Sequence, residues 1–542
     1  MTAETSRRPV VPYHSQAAPG TDGFAQLLRS EWTKFRTVRG LLAGLLIAAV
    51  LTAGVTLLNH SECGVQLTPT SPATGCPGAP TGPGGEPVTD SFYFVHSTLA
   101  TDGSITVRVT SLAGRYSPSG GGVAASDPLA GYVSGVQPWA KAGIMIKAST
   151  TQGSAYAAMA VTGDNGVRMQ WNYTGDAAGL PGPVSSASPR WLRLVRSGDT
   201  IAGYDSADGT RWTKVETVSL AHLPASAQVG LFATSPSYLV VTSQGIGGGG
   251  ASGGPTLATA SFDQLATAGA SGPWTGTSVG GGGPADPASS GNPFAGSYRQ
   301  AGGTFTVTGA GDIGPDVPGG PDGIGISLTN DLGAATFLGL IAMVIIGAVF
   351  ITGEYRRGLI RTTLTASPRR GRVLAAKVLV IAAVMFAVGL VANTGAWYLA
   401  AAMLRHGGNW IPPVPALTQA RAIIGGSLMM AVASVLALAL GVIMRRGVAA
   451  VSTAIAAIAV PFLFAVVPGL LPDGAVNWLL RVFPVAAFAV QQLFPVYHQV
   501  AAQYTTGNGY YPLAWWAGLL VLCAWAAVAL VVAARLLHRR DV

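Results

Sequence analysis

Few side chains in this 542-residue sequence are placed to do covalent chemistry. Within residues 333–542 the acidic residues are Glu354, Asp473 and Asp541, and His406, His498 and His538 stand far apart in the sequence. That pattern offers no nucleophile–base pair and no metal cluster. The three acids also fall at or beyond the ends of apolar runs, whereas ion-coupled transport needs ionisable groups at membrane depth. No Gly-Lys dipeptide occurs, so there is no phosphate-cradling GxxxxGKS/T loop, and this chain is expected to bind neither ATP nor magnesium itself. In residues 59–332, Asp164, Asp176, Asp199, Asp205 and Asp208 could supply the two carboxylates of glycoside cleavage if a pair lay about 5–10 Å apart. Four of the five adjoin Gly or Asn, as solvated turn residues do. Trp139, Trp171, Tyr173 and Trp212 are either stacking platforms for a glycan or filling between sheets. Cys63 and Cys76 are spaced for a disulfide worth about 3 kcal/mol, or are two free thiols.

The elements that must carry these residues are mostly apolar. Hydrophobic residues make up 49% of the chain and charged ones only 10%, and mean hydropathy is +0.43. A spanning helix needs about 20 apolar residues. Six stretches qualify: 41–58, 334–351, 373–404, 422–444, 448–471 and 513–537. Residues 40–332 hold 11 basic and 17 acidic side chains, so the rest holds 21 and 6 and carries the positive charge. Arg and Lys cluster before the first stretch, between the second and third, between the fourth and fifth, and after the sixth, which places all four clusters on the cytoplasmic side. A seventh apolar stretch at 476–494 would invert the C-terminus and is expected to be a re-entrant hairpin, helped by Pro484. Phe24, Leu27, Leu28, Trp32 and Phe35 recur at helical spacing among basic residues, predicting a helix in the cytoplasmic interface.

The resulting division is a disordered cytoplasmic tail at 1–21, an interfacial helix at 22–39 and a first span at 40–58. A Gly/Pro-rich linker at 59–89, an outer β-sandwich at 90–268 and a second linker at 269–332 with an extra strand near 302–314 follow. The second span at 333–352, a cytoplasmic loop at 353–372 and four further spans in 373–542 complete it. The sandwich rests on eight short alternating stretches, at 104–110, 142–148, 156–161, 167–173, 191–196, 200–205, 211–218 and 228–233. Asp208-Gly209 marks a hairpin between two of them.

Three successive pieces, DSFYFVHSTLATDGSITVRV, WAKAGIMIKAS and PRWLRLVRSGDTIAGYDSADGTRWTKV, resemble a concanavalin-like (laminin-G-like) jelly roll over about 90–265. The segments SEWTKFRTVRG (30–40) and GEYRRGLIRTTLTASPRRGRVLAAK (353–377), with the six-helix order, resemble the ABC-2 type permease family over 22–58 and 333–542. That resemblance implies an exporter half driven by a separate ATPase subunit that binds ATP and magnesium. It also implies a second permease half, identical or not, in a plasma membrane. The candidate ATPase contacts it implies are Trp32, Glu354, Tyr355, Arg356, Arg357, Leu364, Pro368 and Arg369. The outer insertion of roughly 270 residues, at 59–332, departs from the usual pattern. The competing reading is a membrane-anchored receptor for a cell-envelope glycan. Arg outnumbers Lys 27 to 5, which together with abundant Ala and Gly predicts a bacterial source.

Overall fold

The computed structural model describes residues 23–57, 78–118, 129, 131–221, 223–243, 249–280, 293–320, 328–366, 369–466 and 471–539. The expected tail at 1–21, the Cys63–Cys76 pair and Pro368 lie outside the described residues. The helices are α1 (Phe24–Thr37), α2 (Arg39–Gly54), α3 (Leu328–Arg356), α4 (Leu359–Ala366), α5 (Arg370–His406), α6 (Ala416–Met444), α7 (Gly447–Val466), α8 (Asp473–Val482) and α9 (Trp515–Arg539). Six of these, α2, α3, α5, α6, α7 and α9, are long and apolar enough to cross a membrane.

Helix α6 lies at the centre of the bundle, with α2 and α7 on its periphery. Close packing there depends on small residues: a Cβ on Gly347 of α3 would come within 2.4 Å of the Ser434 carbonyl of α6. After α8 the chain turns through 92° into a 3-10 segment, Pro484–Gln491. Phe483 is extended (ψ 161°) because the proline ring disfavours helical backbone in the residue before it. Neutral side chains hold this bent segment inside the bundle. Thr336 donates to Asn393 Oδ1 at 3.0 Å, Asn393 donates to Ser427 Oγ at 3.2 Å, and Gln491 donates to Thr336.

The strands are β1 (Val88–Asp90), β2 (Phe92–Tyr116), β3 (Val133–Ser134), β4 (Lys141–Lys147), β5 (Tyr156–Thr162), β6 (Val167–Trp171), β7 (Gly175–Ala178), β8 (Arg190–Ser197) and β9 (Thr200–Ser206). They continue as β10 (Thr213–Ser219), β11 (Ala227–Thr234), β12 (Tyr238–Ser243), β13 (Gly249–Gly254), β14 (Leu257–Val279), β15 (Ser297–Ala301), β16 (Thr304–Gly309) and β17 (Ile313–Pro315). Each of the eight alternating stretches overlaps a strand, with 148, 172–173 and 211–212 falling outside. Instead of two separate sheets, thirteen strands form one antiparallel sheet that folds over itself, because long β2 pairs with β11 through its first half and with β8 through its second. Strands β8 and β9 thereby face β4 and β5 across a core of Ile144, Met159, Leu192, Leu194 and their neighbours.

The sheet also outruns the expected boundary at 268. Strand β14 continues along β2 to Val279 through Gly- and Ser-rich sequence, and β16 pairs with β14 as expected of the extra strand. Backbone pairing holds this stretch without the apolar alternation that marks a strand in sequence. Register shifts interrupt it, and at one of them Gly269 (φ +76°) sits where a Cβ would approach the Asp102 carbonyl to 2.4 Å.

The chain enters the β domain through β1 and leaves through β17, and the two strands pair with each other. Lys141 and Lys147, at opposite ends of β4 on one face, grip both connections. Lys141 Nζ donates to Asp312 Oδ1 at 2.8 Å and to the Ile313 carbonyl at 2.6 Å. Lys147 Nζ donates to Asp90 Oδ2 at 2.8 Å and to Tyr173 Oη at 3.0 Å. All five residues with charged or phenolic side chains named here are buried. The domain rests on the segment before α9: Gln499 donates to the Thr174 carbonyl at 3.0 Å, and the Gln503 amide to the Gly319 carbonyl at 2.8 Å.

Candidate functional site

At the basic end of the helices, α1 lies across α5 and its inward face is Leu28, Glu31 and Phe35. Positions 28, 31 and 35 are spaced by three and four, so they form one stripe. Phe350 and Glu354, one turn apart on α3, present the same pair of residue types from the other side. The two aromatic rings meet at 5.6 Å. Between the carboxylates stands Lys377 of α5, whose Nζ donates to Glu31 Oε2 and to Glu354 Oε1, both at 2.6 Å, and lies 5.1 Å from the Phe350 ring.

Lys34 completes the cluster from its rim. Its Nζ donates to Glu31 Oε1 at 2.8 Å and to Thr363 Oγ1 of α4 at 3.2 Å, and sits 3.5 Å from Glu354. Burial works against the charge on Lys34, but the adjacent Glu31 and Glu354 outweigh it and hold its pKa above the ordinary lysine value. Two carboxylates and two ammonium groups balance, as groups withdrawn from water must. One oxygen, Glu354 Oε2, is buried without a hydrogen-bond partner. The four charges therefore join α1, α3, α4 and α5, with no catalytic function implied by the arrangement.

The expected contact residues surround this cluster unevenly. Trp32 is 46% exposed on α1, and Arg356, Arg357 and Arg369 are exposed. Tyr355 is half-buried beneath Arg445, the C-cap of α6, which lies 5.5 Å from its ring, and Leu364 is half-buried against the helical core. Glu354 is only 7% exposed, so its carboxylate faces Lys377 and not the surface. Leu359, the first residue of α4, is turned outward at 47% exposure, whereas Ile360 beside it is buried. Arg370 donates to the Leu537 carbonyl at 2.6 Å, joining the start of α5 to the end of α9. The basic ends of α3, α5, α6 and α9 thus share one end of the bundle. Sequence reasoning missed Glu31, Lys34 and Lys377. Lysine's scarcity was a usable signal, because four of the five lysines sit in this cluster or the β4 clamp.

In the β domain, Tyr173 is buried against Lys147 and Asp90, which fits the filling reading weighed for it and leaves its ring closed to a sugar. Trp171 is half-buried against the core. Trp139 and Trp212 are half-buried with guanidinium groups over their rings, Arg168 at 5.9 Å and Arg193 at 3.9 Å. Of the acids weighed for glycoside chemistry, Asp176 is paired with Arg168, Asp205 accepts the Leu180 amide, and Asp208 caps the β9–β10 turn.

The family model described as ABC-2 family transporter protein matches residues 145–542, nearly three quarters of the chain. The chain belongs to the ABC-2 transporter family. The matched region of this ABC-2 chain begins inside β4 and includes every helix from α3 onward, while α1 and α2 precede it. No curated protein matches the chain. Among solved structures, the chain is similar to a scytalido-glutamic peptidase with a transition state analog inhibitor, at 12% identity, TM-score 0.25, and coverage of 41% of this chain and 98% of that one. An eqolisin-family peptidase, SCP-B, is similar at 11% identity and TM-score 0.23, covering 40% and 98% of the two chains. A functionally unknown protein from Saccharomyces cerevisiae is similar at 16% identity and TM-score 0.19, covering 34% and 77%. Scores this low carry no argument about fold or activity. The ABC-2 chain is a membrane subunit of a transporter, and its family implies an ABC ATPase partner.

Proposed function

We propose that this ABC-2 chain is one half of an ATP-driven exporter in a bacterial plasma membrane, crossing it six times with both termini in the cytoplasm. Residues 59–332 stand outside, with the folded sheet forming a jelly-roll-like sandwich over the bundle. The ATPase subunit, which carries ATP and magnesium, docks on the surface formed by Trp32, Leu359, Arg356, Arg357 and Arg369, with Tyr355 and Leu364 backing it, and Pro368 stays a candidate contact from the sequence alone. A second permease half completes the pathway.

The observation that carries this reading is the buried Glu31–Lys377–Glu354 cluster. It ties the two elements bearing the exposed contact residues, α1 and the α3–α4 junction, to the long helix α5. A push on either is delivered to α5 because no member of the cluster can move alone without leaving a buried charge unpaired. Glu354 is accordingly a positioning residue behind the docking surface. Co-purification through an affinity tag on this chain should recover an ATPase chain, and its repeated absence from gently solubilised membranes would refute the reading. Of the four aromatics weighed for a glycan, the half-buried Trp139, Trp171 and Trp212 stay available for that role and the buried Tyr173 does not.

A further inference from the structure

Two cavities meet at the outer end of α6. The upper one, a chamber of about 810 Å³, is roofed by the two connections of the outer domain, including Glu86 and Asp316, and floored by Arg421, Tyr511 and Trp515. The lower one, about 470 Å³, is an apolar groove between α6 and α9 lined by Leu417, Ile424, Leu428, Val490 and Leu519. Thr418, Arg421 and Trp515 line both, so chamber and groove are continuous. The groove opens sideways: Leu417 is 87% exposed and Ile424 50%. From Leu417 to Leu428 it descends eleven residues of α6, about 16 Å at 1.5 Å per residue, which is about one leaflet of a 30 Å hydrocarbon layer.

Arg421 stands where the two join. Its guanidinium donates to the Gln492 carbonyl of the bent segment, which fixes it in place, while its Nε is buried without a partner. A snorkelling arginine would carry its charged head into water; this one is held at the junction. Across the chamber, Glu86 Oε1 is also buried without a partner. An apolar slot one leaflet deep, a cation at its mouth and carboxylates beyond match a tail, a phosphate and an amine in that order.

We propose that this surface binds a zwitterionic phospholipid-like amphiphile from the outer leaflet, with its tail in the α6–α9 groove, its phosphate at Arg421 and its amine toward Glu86 and Asp316. The outer domain then forms the roof over the headgroup. This rests on the reading that residues 59–332 lie outside, and it needs no ATPase.

The test is native mass spectrometry of the full chain, purified in mild detergent and supplied with phosphatidylethanolamine, phosphatidylglycerol or tail-less glycerophosphoethanolamine. One phosphatidylethanolamine per chain should be retained, with the tail-less compound lost. Retention should fall about tenfold in Arg421→Gln, as loss of a charge-assisted contact predicts, recover in part in Arg421→Lys, and vanish in Ala420→Trp, which fills the groove. Leu46→Trp, on the lipid-facing side of α2, should retain it and serves as the control for folding. Equal retention in Arg421→Gln and Ala420→Trp, or phosphatidylglycerol held as well as phosphatidylethanolamine, would overturn the proposal. So would stoichiometric disulfide cross-linking between two copies bearing Leu417→Cys, because a second chain would then cover the groove. An ATPase missing from the same preparations bears only on the transporter reading, and a lipid-free chain only on this one.

Discussion

Lys377 shows how a single residue can set the architecture of this end of the molecule. Replacing it by Met leaves Glu31 and Glu354 buried and facing each other, and breaking a buried pair from one side costs about 3–5 kcal/mol. The unfolding midpoint of Lys377→Met in detergent should drop accordingly, whereas Lys377→Met combined with Glu31→Gln and Glu354→Gln should regain much of the loss. A triple variant no better than the single one would show that packing, and not charge pairing, dominates. His96 offers a second test in the outer domain, where it hydrogen-bonds Gln228 at 2.7 Å and Thr277 at 3.0 Å. Burial lowers its pKa below the ordinary histidine value, so the unfolded chain takes up a proton first as pH falls. Stability contributed by neutral His96 is complete above about pH 6.5 and is lost progressively below it. Thermal unfolding of the outer domain should therefore weaken between pH 7 and pH 5, and His96→Gln should flatten that slope. The sequence exposed Trp32 and the arginines 356 and 357 as surface candidates through motif resemblance. It concealed Glu31, because a carboxylate between Leu28 and Phe35 reads as an interruption of the apolar stripe and only the partner helix shows that it is the centre.

The helices were the most legible elements, since runs of twenty apolar residues have one physical reading and Pro484 announced the bend after α8. The second half of β2 and strands β4 to β6 and β8 to β11 were legible by alternation, whereas the short β3 and β7 were not. The far half of β14 was not, because its glycines and serines pair through backbone alone, and the folding of one sheet into two layers depends on β2 serving both, which no local pattern encodes. The α3–α4 junction carries its own prediction. Arg356→Ala/Arg357→Ala removes exposed charge, so it should reduce ATPase recruitment by about tenfold or more while leaving the unfolding midpoint within about 0.5 kcal/mol of wild type. Glu354→Gln should lower both, because its carboxylate is inside the cluster. Quantitative pull-down and thermal unfolding on the same preparations separate the two outcomes, and identical behaviour of the two variants would contradict the assignment.

At the scale of the whole molecule, the β domain is fastened to its connections by Lys141–Asp312 and Lys147–Asp90 and seated on the segment before α9. Movement of the helices should reach it as a unit. Lys141→Met and Lys147→Met should each raise hydrogen exchange in β1 and β17 without altering the helices, and unchanged exchange would mean that strand pairing alone fastens the domain. The central claim is that the basic end of the bundle couples this chain to an ATPase. It is tested most directly by the ATPase activity of complexes purified through the tagged chain, comparing wild type with Arg356→Ala/Arg357→Ala. Co-purifying activity in the wild type that falls with loss of the partner in the variant is the predicted result; activity that is absent from both, or equal in both, would contradict it.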